Sequence, residues 1–272
     1  MSATELPLFF GNGTQELFGV LHSPADTAQL AFVMCHPFGE EKLWAHRVYV
    51  SLARELARRG HAVLRFDYRG NGDSGGTFSG TSMASNLADI DTAIDVLKER
   101  AGTDVVGLFG LRFGATEAVL AAERRADVST VVLWQPVVDG SRYMQELLRI
   151  NLSTQLAVFG AVTKDREALV AMMHDGQTVN VDGYDMAIPF YTEACAVNLA
   201  AQPRTFTGRT LIVQLDRSAT PTPAREFVAL RDRSALAQLQ VVQCEPFWKE
   251  IQTFYGAAAS AAAVTFAWLG EQ

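Results

Sequence analysis

Residues 105–122 spell out a strand, a glycine-framed turn and a helix in immediate succession. Val105-Val106-Gly107-Leu108-Phe109 is an apolar run of strand length. Ala115-Thr116-Glu117-Ala118-Val119-Leu120-Ala121-Ala122 has helical composition. Between them stands Gly110-Leu111-Arg112-Phe113-Gly114. A chain that leaves a buried strand for a helix in so little space must turn sharply. Glycines on both sides of such a turn let the two backbones approach and tolerate the strain. The spacing predicts that Arg112 sits at the apex, beside the free N–H groups that open the helix.

The rest of the chain reads as partners for that strand. Leu6 to Phe10 and Glu16 to His22 are apolar runs on either side of Gly11-Asn12-Gly13, a hairpin signal. Gln29 to Cys35 is nearly continuous in apolar residues, as expected of a strand buried on both faces. A helix over Ala45–Arg59 stopping at Gly60, a strand over His61–Asp67, a helix over Ser82–Arg100 and a strand over Ser129–Trp134 follow. Alternation breaks from Gln135 to about Gln202, which reads as an inserted cap with a turn at Asn180-Val181-Asp182-Gly183. It resumes with a strand over Thr210–Leu215, a helix over Thr222–Arg233, a strand over Leu239–Cys244 and an Ala-rich helix from Gly256 to Leu269. Alternating strands and helices imply a mostly parallel sheet flanked by helices, here one domain over 1–272 with a cap at 135–202.

Charge narrows the partners. A net charge of −7 with no basic block argues against nucleic acid. Cys35, Cys195 and Cys244 are too scattered for a metal or redox motif, and the sequence implies no cofactor. The first residues lack a basic, then apolar, leader, and no apolar stretch suits a bilayer span. The expectation is a soluble, cytoplasmic protein without membrane insertion.

Three motifs in order resemble the α/β-hydrolase superfamily. His36-Pro37-Phe38-Gly39 follows a strand and resembles the segment that lends one backbone N–H to an oxyanion hole, here that of Phe38. Asp67-Tyr68-Arg69-Gly70-Asn71-Gly72-Asp73-Ser74 resembles the superfamily's D-x-R-G-x-G-x-S turn. Gly110 to Gly114 has the frame of the G-x-S-x-G nucleophile elbow, with arginine in place of serine. A narrower likeness joins His36 to Lys42, Gly107 to Ala115 and Leu133 to Gly140. These resemble the exosortase-A-system-associated hydrolases with arginine at the elbow, which accompany bacterial exopolysaccharide and protein-sorting loci.

The resemblance implies a triad in the order serine, acid, histidine. Asp216 fits the acid's place after the strand Thr210–Leu215, but no histidine follows His174. A guanidinium stays protonated and cannot be a nucleophile. Two other serines mislead. Gly72-Asp73-Ser74-Gly75-Gly76 belongs to the glycine-rich turn, and Ser82 in Gly80-Thr81-Ser82-Met83-Ala84-Ser85 reads, with Thr81, as a helix N-cap.

Two sources of chemistry remain. His36 with Glu40 or Glu41 could form a general acid–base pair; the alternative is a helix entry whose glutamates suit an N-terminus. His46 and Glu41 lack the further ligands of a metal site. Arg112 beside a helix N-terminus calls for an anion. That anion is either an internal carboxylate, Glu40, Glu41 or Asp216, or a ligand held together with the N–H groups of Phe38 and Phe113. Tyr143, Phe190, Tyr191 and Trp134 offer aromatic walls for an acyl or ring-bearing ligand. The leading expectation is a triad-less protein that binds a small anionic or acyl ligand through Arg112, Phe38, Phe113, Trp134 and Asp216. The alternatives are a hydrolase or transferase built on His36, Glu40 and Glu41, and a non-catalytic protein partner within a pathway.

Overall fold

The protein is described by a computed structural model over residues 3–11, 16–249 and 258–270. Among these residues eight strands form one sheet: β1 (Thr4–Phe10), β2 (Leu17–Ser23), β3 (Ala31–Cys35), β4 (Ala62–Phe66), β5 (Val106–Leu111), β6 (Val128–Trp134), β9 (Arg209–Asp216) and β10 (Ala237–Gln243). Their order is β1-β2-β4-β3-β5-β6-β9-β10. β2 runs antiparallel to both β1 and β4, and the remaining pairs are parallel. Phe10 pairs with Leu17, as an antiparallel β1–β2 pair requires, while the expected hairpin turn Gly11-Asn12-Gly13 lies, beyond Gly11, outside the described residues.

Helices cover both faces because the central strands are apolar on both. α1 (Glu40–Arg58) and α8 (Ala259–Gly270) bring Tyr49, Leu52 and Trp268 against Phe32, Met34 and Phe109. On the other face α2 (Met83–Ala101) and α3 (Phe113–Ala122) bring Ile90, Ile94 and Ala118 against Val33, Leu64 and Leu108. The two sets alternate along each strand, as the two-residue period demands. α8 begins at Ala259, so the first residues of the expected Ala-rich helix fall outside the described part. No helix among the described residues is long and apolar enough to cross a membrane.

α1 starts five residues earlier than the expected Ala45. Gly39 takes φ +54°, and Glu40 and Glu41 occupy the first turn, where the helix end favours negative charge. The titratable stretch after His36 is therefore mostly helix rather than loop.

Between β6 and β9 the chain builds α4 (Gly140–Phe159), α5 (Arg166–His174), a hairpin of β7 (Val179–Val181) with β8 (Tyr184–Met186), and α6 (Ile188–Cys195). Asp182 and Gly183 turn that hairpin with φ of +49° and +90°, as a two-residue type I′ turn requires. The two ends of this segment are stapled together. Gly140 N–H donates to Val197 O at 2.9 Å, and Leu199 N–H donates to Val138 O at 2.8 Å.

Candidate functional site

Arg112 stands between β5 and α3 with φ +55° and ψ −124°, a strained apex for a residue with a side chain. The flanking glycines are forced by contact. A Cβ on Gly110 would lie 2.4 Å from Ala115 Cα, and one on Gly114 would lie 2.4 Å from both Cys35 O and His36 O. The elbow is thus pressed against the end of β3, which brings Phe38 to it. The rings of Phe38 and Phe113 meet through Phe190, at centroid distances of 4.5 and 5.5 Å. Neither the Phe38 nor the Phe113 backbone N–H donates to any described residue.

The Arg112 side chain turns to Glu41. Nε donates to Glu41 Oε1 at 3.1 Å, with the two side chains 14% and 17% exposed. The Tyr143 hydroxyl donates to Glu41 Oε2 at 3.0 Å. Burial raises the Glu41 carboxyl above its ordinary range, with Arg112 and Tyr143 opposing the rise. Burial works hardest against the Arg112 charge, but Glu41, Tyr143 and Glu146 together outweigh it and keep the guanidinium protonated. The guanidinium carbon lies 5.4 Å from the Tyr143 ring centre and 5.5 Å from that of Trp248. The two terminal nitrogens of Arg112 make no hydrogen bond among the described residues.

Those nitrogens belong to a residue that lines an open cleft of about 210 Å³, with Tyr143, Trp248, Lys249, Arg142, Glu146 and Glu226. Arg142 lies 3.6 Å from Glu146 and 3.8 Å from Glu226, so these charges largely answer one another. Asp139, also on the rim, caps α4 by accepting from Arg142 N–H at 3.0 Å. Lys249 has no ion pair among the described residues. The Trp248 indole N–H is buried without a partner among the described residues. Among the described residues, Arg112 and Lys249 are therefore the cations of this cleft left without a full set of partners.

Several sequence expectations are corrected. The acid–base pair of His36 with Glu40 or Glu41 does not form. His36 Nδ1 donates to Pro37 O at 2.8 Å and Nε2 accepts from Tyr68 N–H at 3.3 Å, which fixes a neutral tautomer with both nitrogens occupied. Burial, with Lys42 nearby, pushes its pKa well below the usual imidazole range. Glu41 is spent on Arg112 and Tyr143, and Glu40 faces the Tyr184 hydroxyl. Trp134 is no ligand wall: it is fully buried on the α1–α8 face, and its indole N–H donates to Thr265 Oγ1 at 3.0 Å. Asp216 closes a local turn by accepting from Ser218 N–H at 2.8 Å and does not meet Arg112. The expected acyl wall is filled rather than open. Phe38 stacks on Phe190, and Phe113 stacks on Tyr143 at 5.4 Å, all four buried.

The two misleading serines are structural. Ser82 and Ser85 form a reciprocal capping box at the start of α2. Ser74 Oγ accepts from Phe18 N–H at 2.8 Å and donates to Asp67 O at 2.5 Å, pinning the glycine-rich turn. A second cleft of about 280 Å³ lies beyond His36 and Pro37, lined by Met34, Tyr49, Phe66, Lys42 and Arg65. It is larger, but Lys42 is paired to Asp67 at 2.6 Å and Arg65 Nε donates to His22 at 3.0 Å, and it does not include Arg112. His46 lines this second cleft, and no metal-ligating group of three exists among the described residues.

Sequence reasoning missed Trp248, Lys249 and Glu117 as neighbours of the elbow. Glu117 had a signal: it is the one charged residue in the otherwise apolar helix Phe113–Ala122, so it had to be buried and partnered. Its Oε1 accepts from Asn86 Nδ2 at 2.8 Å, and burial pushes its pKa up to about 8.

The sequence profile of the serine aminopeptidase S33 family matches residues 26–200. The chain belongs to that family of α/β hydrolases. No curated protein matches it in sequence. Its fold is similar to that of Est1E from Butyrivibrio proteoclasticus, solved with ferulic acid bound: 17% identity, 97% of this chain and 98% of that one, TM-score 0.71. It is also similar to mouse alpha/beta hydrolase domain-containing protein 10, at 13% identity over 98% and 99% of the two chains with a TM-score of 0.64. An esterase from Pyrococcus furiosus is 14% identical over 99% and 91%, with a TM-score of 0.64. At such identities the likeness is one of fold, and function rests on the S33-family chain's own residues.

Proposed function

We propose that this S33-family protein binds a small ligand carrying a carboxylate or phosphate at Arg112, and that it does not work as a serine hydrolase. The half-used guanidinium carries the reading. Glu41 takes one edge of Arg112, and the terminal nitrogens are left for a second anion in a cleft shared with Lys249 and the Trp248 indole. The start of α3 adds partial positive charge nearby, whereas Phe38 and Phe113 line a separate small cavity with His36 and Glu117 and take no part in this cleft. An anionic ligand suits this site better than an acyl one, because aromatic side chains already fill the apolar space. In the same reading residues 135–202 act as a cap on a single domain. The resemblance to exosortase-associated hydrolases suggests a setting in bacterial exopolysaccharide or surface-protein sorting.

Arginine supplies a planar fork for a carboxylate or phosphate, worth on the order of 1.5–3 kcal/mol in a charge-assisted pair. Titration of tryptophan fluorescence with succinate and with inorganic phosphate tests the site. Arg112→Leu is expected to weaken binding roughly ten- to a hundred-fold, and Arg112→Lys to recover only part of it. Equal affinity in wild type and Arg112→Leu would overturn the reading. A fluorophosphonate probe is expected to leave Ser74 and Ser82 unlabelled; stoichiometric labelling of either would restore a serine mechanism.

A further inference from the structure

The link between α4 and α5 presents apolar side chains to solvent in an unusual concentration. Leu156, Val158, Phe159 and Val162 are between 48% and 69% exposed, and Ala157 and Ala161 between them are exposed too. Scattered apolar residues on a surface need no account, but a contiguous group marks an interaction site.

This tip is not slack chain. Gln155, buried at its base, uses its whole amide to hold it. Nε2 donates to Asn151 Oδ1 at 2.8 Å and to Lys164 O at 2.9 Å. Oε1 accepts from Thr163 N–H at 2.9 Å, Thr163 Oγ1 at 3.0 Å and Lys164 N–H at 2.9 Å. Gly160, at φ +72°, ends α4 with a left-handed residue, and Asp165 caps α5 by accepting from Ala168 N–H at 2.9 Å. The apolar group is thus held outward on a fixed projection rather than in a groove.

Charge selects the occupant. Leu147 to Arg166 carries three cations, Arg149, Lys164 and Arg166, against one carboxylate, in a chain of net charge −7. That carboxylate, Asp165, is committed to its cap; Glu146 and Glu167 stand immediately before and after the stretch, and Glu146 lies 3.6 Å from Arg142. All three cations are exposed, and none has an ion pair among the described residues. Apolar side chains at an apex with cations set back along the flanks match the acyl boundary and anionic headgroups of a bilayer. Two such tips would repel one another, which disfavours a second copy of the chain.

We infer that the α4–α5 tip docks the protein peripherally on an anionic membrane surface. Co-sedimentation with phosphatidylcholine vesicles, with and without phosphatidylglycerol, tests this. The wild type is expected to sediment with the phosphatidylglycerol vesicles and to be released by salt. Val158→Asp with Phe159→Asp is expected to weaken that partitioning by roughly ten-fold or more at unchanged far-UV circular dichroism. Lys164→Glu with Arg166→Glu is expected to remove the preference for anionic lipid. Failure of the wild type to bind either vesicle, or undiminished binding by Val158→Asp/Phe159→Asp, would overturn the inference. So would concentration-dependent dimerisation abolished by Phe159→Asp without vesicle binding, which would assign the tip to a second copy.

Discussion

Glu117 lies four residues beyond Phe113 on α3, only 1% exposed, with Asn86 as its hydrogen-bond donor. Burial raises its pKa to about 8, from an ordinary value of 4.5. Between those values the folded protein keeps a proton that the unfolded chain releases. Stability therefore falls as pH rises through that window and levels off above it, at about 1.4 kcal/mol per unit. Glu117→Gln keeps the shape and the Asn86 contact but removes the proton. Denaturant unfolding at pH 5.5 and pH 8.5 should show a gain from Glu117→Gln that grows with pH; parallel pH dependence in the two proteins would refute the assignment. Glu41 responds differently, because its charge has a partner. Glu41→Gln leaves Arg112 with a neutral neighbour, and stripping one member of a mostly buried pair costs about 3 kcal/mol. The same change should raise the affinity of the cleft for succinate if the guanidinium then turns wholly toward it.

At the level of elements, the turn between β5 and α3 is set by backbone contact. Gly114→Ala puts a methyl against two carbonyl oxygens of the β3 end, and neither is a flexible group that can swing away. The variant is expected to lose several kcal/mol or fail to fold, in line with overpacking at its severe end. An unchanged denaturation midpoint would mean that the elbow is not pressed on β3. This turn was legible because both glycines and both flanking elements are local in sequence. The start of α1 was less so: Pro37 and Gly39 obscure it, and Glu40 and Glu41 could be offered only as a helix entry beside an acid–base pair. Trp134 was misjudged although the signal was present. It alternates with Leu133 and shares the face of Val132, which the two-residue period assigns to the α1–α8 side. The Arg112–Glu41 pair could only be offered among alternatives, since 71 residues separate its partners and spacing says nothing about their approach.

For the whole molecule, the mostly parallel sheet and its two helical layers follow from patterns along the chain, whereas the cleft arises where distant segments meet. Arg112 from the elbow, Tyr143 from α4 and Trp248 from the stretch after β10 share it. Removing 141–195 and joining the ends with a short Gly/Ser linker should leave a cooperatively unfolding sheet that binds a hydrophobic dye at the uncovered Phe38 and Phe113. Loss of cooperative unfolding would show that the sheet depends on this segment for its core. The stapled ends make the first outcome the expected one. Val138 and Leu199 are hydrogen-bonded neighbours, so the sheet meets the same short gap whatever lies between them. Closing that gap costs the sheet little extra entropy as the intervening chain lengthens or shortens. Descendants of such a protein can therefore exchange, enlarge or trim everything from 140 to 197 while inheriting the elbow unchanged, and the diversity of recognition in the lineage would collect there.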